Sequence, residues 1–402
     1  MRESEELSAF RLEVRIWASE HVPKNWRDDL RGADDAVLFT FLRAWTQELK
    51  KAGWLVPHWP KEWGGGFSVP QQVVIAEELV RADAPRNSLF HVALYNAAPA
   101  IIHQGTEAQK QRFLNGMLNG EVWCQGFSEP DAGSDLAGLK TRAVRVDDHY
   151  IVTGQKVWTS TALEADWCIA LVRTDPGVPK HRGLSFLIVD MHSPGVEVRP
   201  IVQATGADEF CETFFDEVKV PIDQLVGAEN DGWKVAQGTL TSERAVVILE
   251  MAERLRRNGV EAIIKDAATF LVDGSTPLND DGAARDLLAE RYAEAVVLGD
   301  LVNAQIASII HGKSIPAESS IIKLFYSELL QRTMRDATNL QGVAGQIQQS
   351  LLEAAGWETG YWMSDYLNSW GWTISGGTNE IMRNMIGEQL LGLPREPRSP
   401  EV

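Results

Sequence analysis

The feature that most constrains this chain is a change of hydrophobic period, made twice. Up to about residue 120, apolar side chains recur at helical spacing, as in EELSAFRLEVRIWASEHV and FLRAWTQELKKAGWL. Between about 121 and 225 the pattern becomes short runs rich in Val, Ile, Phe and Trp: HYIVTGQKVWTS, WCIALVRT, LSFLIVDM, VEVRPIV and TFFDEVKVP. Turn residues such as VDD, DPGVPKHRG and HSPG separate them. From about 230 the helical period returns in long stretches broken by DGSTPLNDDG. This order predicts an α+β multidomain protein. An α-helical domain is expected at 1–120, a compact antiparallel β domain (barrel or sandwich) at 121–228 and a helical bundle at 229–402. Thr106 is expected to cap the helix that begins at Glu107.

Composition narrows the function classes. The formal charge of −18 argues against a general nucleic-acid binder, which needs a basic face to neutralise phosphates. No run approaches the ~18 uninterrupted apolar residues of a membrane span. MRESEELSAF lacks the apolar core of a signal peptide, so a cytoplasmic location is expected. Cys124, Cys168 and Cys211 are scattered and form no CxxC pair, and the histidines show no metal spacing. HGKS at 311–314 ends like a phosphate loop, but Ala307 stands where its first glycine belongs.

Three stretches carry chemistry. GFSEPDAGSD, Gly126 to Asp135, is rich in small residues where helices give way to strands; such residues let backbone amides approach a ligand, and a domain connection explains them equally well. In GQKVWTST, strand alternation puts Val157, Thr159 and Thr161 on one face and Trp158 and Ser160 on the other. A flat ring beside a hydroxyl suits an aromatic cofactor, although core packing is the plainer explanation. In TSERAVVILE, Glu243 has Thr239, Leu240, Val246 and Val247 at its i±3 and i±4 positions and no local cation. A carboxylate on such an apolar face is expected to be desolvated and its pKa raised, as a general base near neutral pH requires. A structural pair with another helix is the competing explanation.

Together with FFDEVKVP, GWKVAQGTLTSER and GGTNEIMRNMIGEQLLG, these stretches resemble the acyl-CoA dehydrogenase family in order and spacing over essentially the whole chain. The resemblance narrows the β domain to an antiparallel barrel and the last domain to a four-helix bundle. It implies an FAD enzyme that forms an α,β-double bond in a coenzyme A thioester, a carboxylate removing the α-proton while the β-hydrogen leaves as hydride. By the same resemblance Phe127 and Ser128 line the flavin, Trp158 packs by its ring, and Ser160 bonds near N5. Thr378 and Glu380 contact its adenine end. Ser134 lies by the thioester, and Arg244 holds the coenzyme A portion. An electron-transferring flavoprotein is the implied acceptor and a tetramer the implied assembly.

The chain departs from the family where its usual base stands. The common Tyr-Glu-Gly-Thr reads Ser375-Gly376-Gly377-Thr378 here. Some members, isovaleryl and long-chain types among them, carry the glutamate just before an arginine on the first helix of the C-terminal bundle. That place is Glu243-Arg244 in this chain, so Glu243 is the expected base. A glycine at 376 frees volume near the thioester, which points to a branched or bulky acyl group, and the chain also resembles actinobacterial members that act on sterol side chains. The family's Arg-x-Gln-Phe-Gly stretch is missing from LVDGSTPLNDDGAARD, and Asn339 takes the place of its usual glutamine. Sterol-type members often pair two different subunits, so a heterotetramer is expected beside a homotetramer. Two alternatives use the same fold: a flavin-dependent monooxygenase or oxidase, and a non-catalytic subunit that supports a catalytic partner.

Overall fold

Capping side chains mark where the helices begin. Ser4 accepts from the Leu7 N–H at 3.2 Å and opens α1 (Glu5–His21), and Asp34 does the same for α2 (Asp35–Lys51) through Val37 at 3.0 Å. α3 (Val69–Arg81) follows Ser68, whose backbone N–H is held by the Gln71 side chain. Thr106 caps Glu107–Gln109 as expected, in a reciprocal pair with Gln109. Just before α4 (Ala98–Gln104) the chain makes one π-helical turn, Val92–Ala97. The apolar stripes of these helices meet in a core that includes Leu38, Leu42, Trp45, Leu49, Phe90 and Leu94. At its edge the buried Glu78 carboxylate is ringed by Arg11, Arg15 and Arg81.

The computed structural model describes residues 3–30, 33–242, 246–270, 277–313, 317–346 and 361–395. They fall into two compact units, one within Met1–Glu243 and one within Arg244–Gln349 and Gly360–Val402. The first unit contains the N-terminal helices and the sheet. Its strands are β1 (Trp123–Gly126), β2 (Arg142–Val146), β3 (His149–Ser160), β4 (Trp167–Arg173), β5 (Leu184–Asp190), β6 (Val196–Pro200), β7 (Phe210–Pro221) and β8 (Leu225–Val226). The order is β6-β7-β3-β2-β4-β5-β8, with β1 beside β4. Most pairings are antiparallel, as the short turn-separated runs predict, but β1 runs parallel to β4 from Trp123↔Trp167 to Gly126↔Ala170. A parallel pair needs a long crossover, which the β2–β3 hairpin supplies. α5 (Gly232–Ser242) then packs on β5, on α4 and on the π-helical turn.

The second unit is a helical bundle around α8. Its members are α6 (Val246–Arg254), α7 (Gly282–Ile310), α8 (Glu318–Leu340), α9 (Trp362–Trp372) and α10 (Asn379–Met385). After α6 the chain makes a π-helical turn at Leu255–Glu261 and continues as a short helix, Ala262–Ala267. By length and composition α7 is apolar enough to cross a membrane. It packs here as a bundle helix, burying Leu288, Leu298, Val302 and Ile306, and Arg291 reaches Asp336 of α8 at 2.8 Å.

Candidate active site

In the first unit the site is built on a buried ion pair. β1 ends at Gly126, where any side chain would meet the Cys168 Sγ at 2.9 Å. Phe127 follows, buried edge-on against Phe186 at 5.9 Å. Beneath this loop lies Lys156 of β3, fully buried. Its three ammonium protons go to the Phe127 carbonyl at 3.0 Å, the Leu171 carbonyl at 2.7 Å and Glu129 Oε1 at 2.9 Å. Glu129 also accepts from the backbone N–H groups of Lys140 and Thr141 at 2.6 and 2.8 Å. Burial lowers the Lys156 pKa and Glu129 opposes that shift. Burial also pushes Glu129 upward, but Lys156 and the N–H donors outweigh it, and its pKa ends below the usual range. Every polar atom of the pair is answered, the condition under which a buried charge pair is tolerated.

The same strand then bulges. Its register with β7 shifts between Lys156 and Thr159, so Lys156 and Val157 are both buried and the alternation seen at 149–153 resumes only at Val157. Trp158 takes φ +61°, an uncommon conformation for a bulky residue, and its ring is 57% exposed. The edge of Phe210, at 6.0 Å and 86°, is its one ring contact among the described residues. Val157 N–H donates to the Ser128 carbonyl at 3.0 Å and ties the loop to the bulge. Thr159 points inward, bonded to the Cys211 carbonyl and Thr213. The hydroxyls of Ser128 and Ser160 are half-buried and have no hydrogen-bond partner among the described residues. Next to them, Thr161 N–H donates to the Glu209 carbonyl at 2.8 Å. The Glu209 carboxyl is pushed up to about 7 by burial, with Asp208 and Asp35 adding to the effect. Ser134 is exposed on the following loop, which Arg173 pins through the Ala137 carbonyl at 2.6 Å and Lys180 through Asp135 at 2.8 Å.

In the second unit the site is a turn. Between α9 and α10 the chain passes through Gly376 at φ +65° and Gly377 at φ +94°. A Cβ at Gly376 meets nothing within 4 Å, whereas one at Gly377 would lie 2.6 Å from the Met382 Cε. Thr378 caps α10, accepting from the Ile381 N–H at 3.2 Å. Glu380 is exposed, and its pKa is lowered first by its own backbone N–H and then by the Thr378 hydroxyl. Lys323 of α8 holds the turn from behind, donating to the Gly377 carbonyl at 2.7 Å and to Asn379 Oδ1 at 2.9 Å. Ser327 donates to the same Asn379 oxygen at 2.9 Å. Burial brings the Lys323 pKa down to about 8, opposed by Glu380.

The structure therefore brings Phe127, Ser128, Trp158 and Ser160 together in one unit, with Ser134 on the adjoining loop, and Thr378 and Glu380 together in the other. Glu243 and Arg244 lie outside the described residues; α5 is described as far as Ser242. The supporting residues Glu129, Lys156 and Lys323 are not singled out by sequence reasoning. A charged residue inside an otherwise small or apolar motif is the signal that points to each: SEP, QKV and SSIIKLF.

Three family models match the chain in succession. They are the N-terminal domain of acyl-CoA dehydrogenase at residues 4–121, its middle domain at 124–218 and its C-terminal domain at 230–391. Acyl-CoA dehydrogenase IpdE1 of Mycolicibacterium smegmatis is 37% identical over 97% of this chain and 99% of its own. The chain belongs to the acyl-CoA dehydrogenase family. This is a family of oxidoreductases and flavoproteins. Among solved members, the Tcur3481-Tcur3483 steroid ACAD superposes with a TM-score of 0.83 at 31% identity, over 98% of this chain and 99% of that one. The ChsE4-ChsE5 complex from Mycobacterium tuberculosis gives 0.81 at 31% identity, over 98% and 99%. The likeness spans helical, β and helical parts alike, in the order that the periodicity of the sequence predicts.

Proposed function

We propose that this protein is an FAD-dependent acyl-CoA dehydrogenase for a branched or bulky, sterol-derived acyl group, with Glu243 as the α-proton base. The observation that carries this reading is the turn at 376. It holds no carboxylate, and a Cβ there meets open space within 4 Å, so the second unit offers room rather than a base at that point. Glu243-Arg244 follows directly on α5 in sequence and supplies the missing carboxylate. The names of the relatives, steroid ACAD among them, support the substrate class.

The residues of the first unit fit a flavin. Trp158 presents a flat, exposed ring, and Ser128 and Ser160 offer hydroxyls not used within the protein among the described residues. FAD, when bound, supplies the acceptor for the hydride that leaves the β-carbon. Phe127, Ser128, Trp158 and Ser160 orient its ring, and Thr378 and Glu380 meet its adenine end. Glu243 takes the α-proton onto its carboxylate as the C–H pair becomes the double bond. Ser134 and Arg244 hold the thioester and the coenzyme A portion. The enzyme works as an oligomer, a homotetramer or a heterotetramer with a related chain, and passes electrons to an electron-transferring flavoprotein in the cytoplasm.

Anaerobic mixing of the purified protein with straight, branched and sterol-derived acyl-CoAs tests the reading. Bleaching of the flavin band by the bulky class, with a product two hydrogens lighter, is expected. A colourless protein that binds no FAD, alone or with a co-expressed relative, contradicts it. So does rapid reoxidation by air with an oxygenated product.

A further inference from the structure

The turn between α9 and α10 closes on itself. Asn379 N–H donates to the Thr373 carbonyl at 2.9 Å, and Ser375 N–H to the Gly371 carbonyl at 2.8 Å. Between them, the N–H groups of Gly376, Gly377 and Thr378 have no acceptor among the described residues. Successive unanswered N–H groups in a turn form an array of donors, and its aim depends on how each peptide plane is set.

Lys323 of α8 sets the last of these planes. Its ammonium donates to the Gly377 carbonyl at 2.7 Å. The peptide that follows is trans, so the Thr378 N–H points the opposite way, away from the ammonium. The same ammonium donates to Asn379 Oδ1 at 2.9 Å, where Ser327 also donates at 2.9 Å. One lysine therefore holds the chain on both sides of Thr378, the residue that caps α10.

Stability alone does not call for a lysine here. Both of its acceptors are uncharged, and no carboxylate lies within ion-pair distance of it among the described residues. Burial brings its pKa down to about 8, with Glu380 opposing from farther away, so below that pH the half-buried ammonium is carried at a cost. An apolar side chain of similar length removes that cost and leaves Asn379 Oδ1 bonded to Ser327.

We infer that Lys323 is a positioning residue for the cofactor: through the Gly377 carbonyl and Asn379 it aims the N–H groups of the turn, and Thr378 with them, at bound FAD. This rests on the flavin reading above and adds to it a residue that acts through the turn.

The test is the affinity for FAD of the full chain stripped of flavin, with a co-expressed relative where one is needed, read by flavin fluorescence. Lys323→Met should raise the Kd by about tenfold. The melting temperature of the stripped protein at pH 7 should be kept or raised. Lys323→Cys should lose affinity likewise and regain it when bromoethylamine converts the new thiol to a lysine analogue. Cys124, Cys168 and Cys211 are buried, and wild type treated in the same way is the control. Ser327→Ala removes one of the two bonds to Asn379 and should raise the Kd by about twofold. An unchanged Kd in Lys323→Met overturns the inference. So does a fall in melting temperature that matches the lost affinity and that the restored amine does not reverse. If neither Lys323 variant folds, Ser327→Ala decides, and an unchanged Kd there overturns the inference too. A wild type that takes up no FAD, with or without a relative, fails the flavin reading itself and takes the inference with it.

Discussion

The strand edge at 126–160 and the turn at 373–380 are held by opposite means. At the strand edge an ammonium with all three protons answered sits under the loop, inside the sheet. At the turn, two glycines in left-handed conformation are propped by a half-buried lysine from the next helix. The first arrangement fixes geometry through the fold of the whole β unit. The second is local, held from α8 by Lys323 and Ser327. A change at the turn is therefore expected to leave the ion pair beneath the 126–129 loop intact.

The largest break expected is at the ion pair. Lys156→Met leaves the Glu129 carboxylate buried and unpaired, and should cost about 3–5 kcal/mol in chemical denaturation. Adding Glu129→Gln should return part of that loss, because the two groups are coupled. At the turn the effects are smaller and differ between neighbours. Gly377→Ala meets both a left-handed φ and the Met382 methyl, so a loss of about 2 kcal/mol is expected; Gly376→Ala meets only the φ and should cost about 1 kcal/mol. Equal losses at the two positions would remove the steric part of this account.

The two regions should also carry opposite pH signatures. Glu209, at the strand edge, has a folded pKa of about 7 against an ordinary value of 4.5. In that window the folded state keeps a proton that the unfolded state has lost, so its contribution to stability falls as pH rises from 4.5 to about 7. Lys323, behind the turn, has a folded value of about 8 against 10.5. There the unfolded state binds the extra proton, so stability rises with pH across that window. Urea titrations from pH 5 to about 10 should show each slope flattened, in Glu209→Gln and Lys323→Met respectively. The smallest effect is expected at Ser160→Ala, which removes one hydroxyl toward the flavin and should weaken FAD binding by about 1 kcal/mol with no change in melting temperature.

Much of the layout is legible in the sequence because periodicity is a local property. The helical and strand zones, the Thr106 cap and the separation of Trp158 from Val157 all follow from spacing alone. What is not legible depends on partners far away in the chain. Lys156 and Glu129 are 27 residues apart, and Lys323 and Gly377 are 54 apart. No period links such pairs. The bulge at 156–159 escapes for a related reason, since its cause lies in the register with β7. β1 likewise reads as one more short run, and its parallel pairing comes from the crossover rather than from its own residues.

The central proposal is that Glu243, which follows α5 in sequence, is the base, in a chain whose turn Ser375-Gly376-Gly377-Thr378 carries no carboxylate. Anaerobic stopped-flow reduction of Glu243→Gln, with the acyl-CoA that bleaches the wild type, tests it most directly. The account predicts intact flavin binding and reduction slowed by about 10²–10⁴-fold, with exchange of the substrate α-deuterium lost in parallel. Reduction of the variant at the wild-type rate would contradict it.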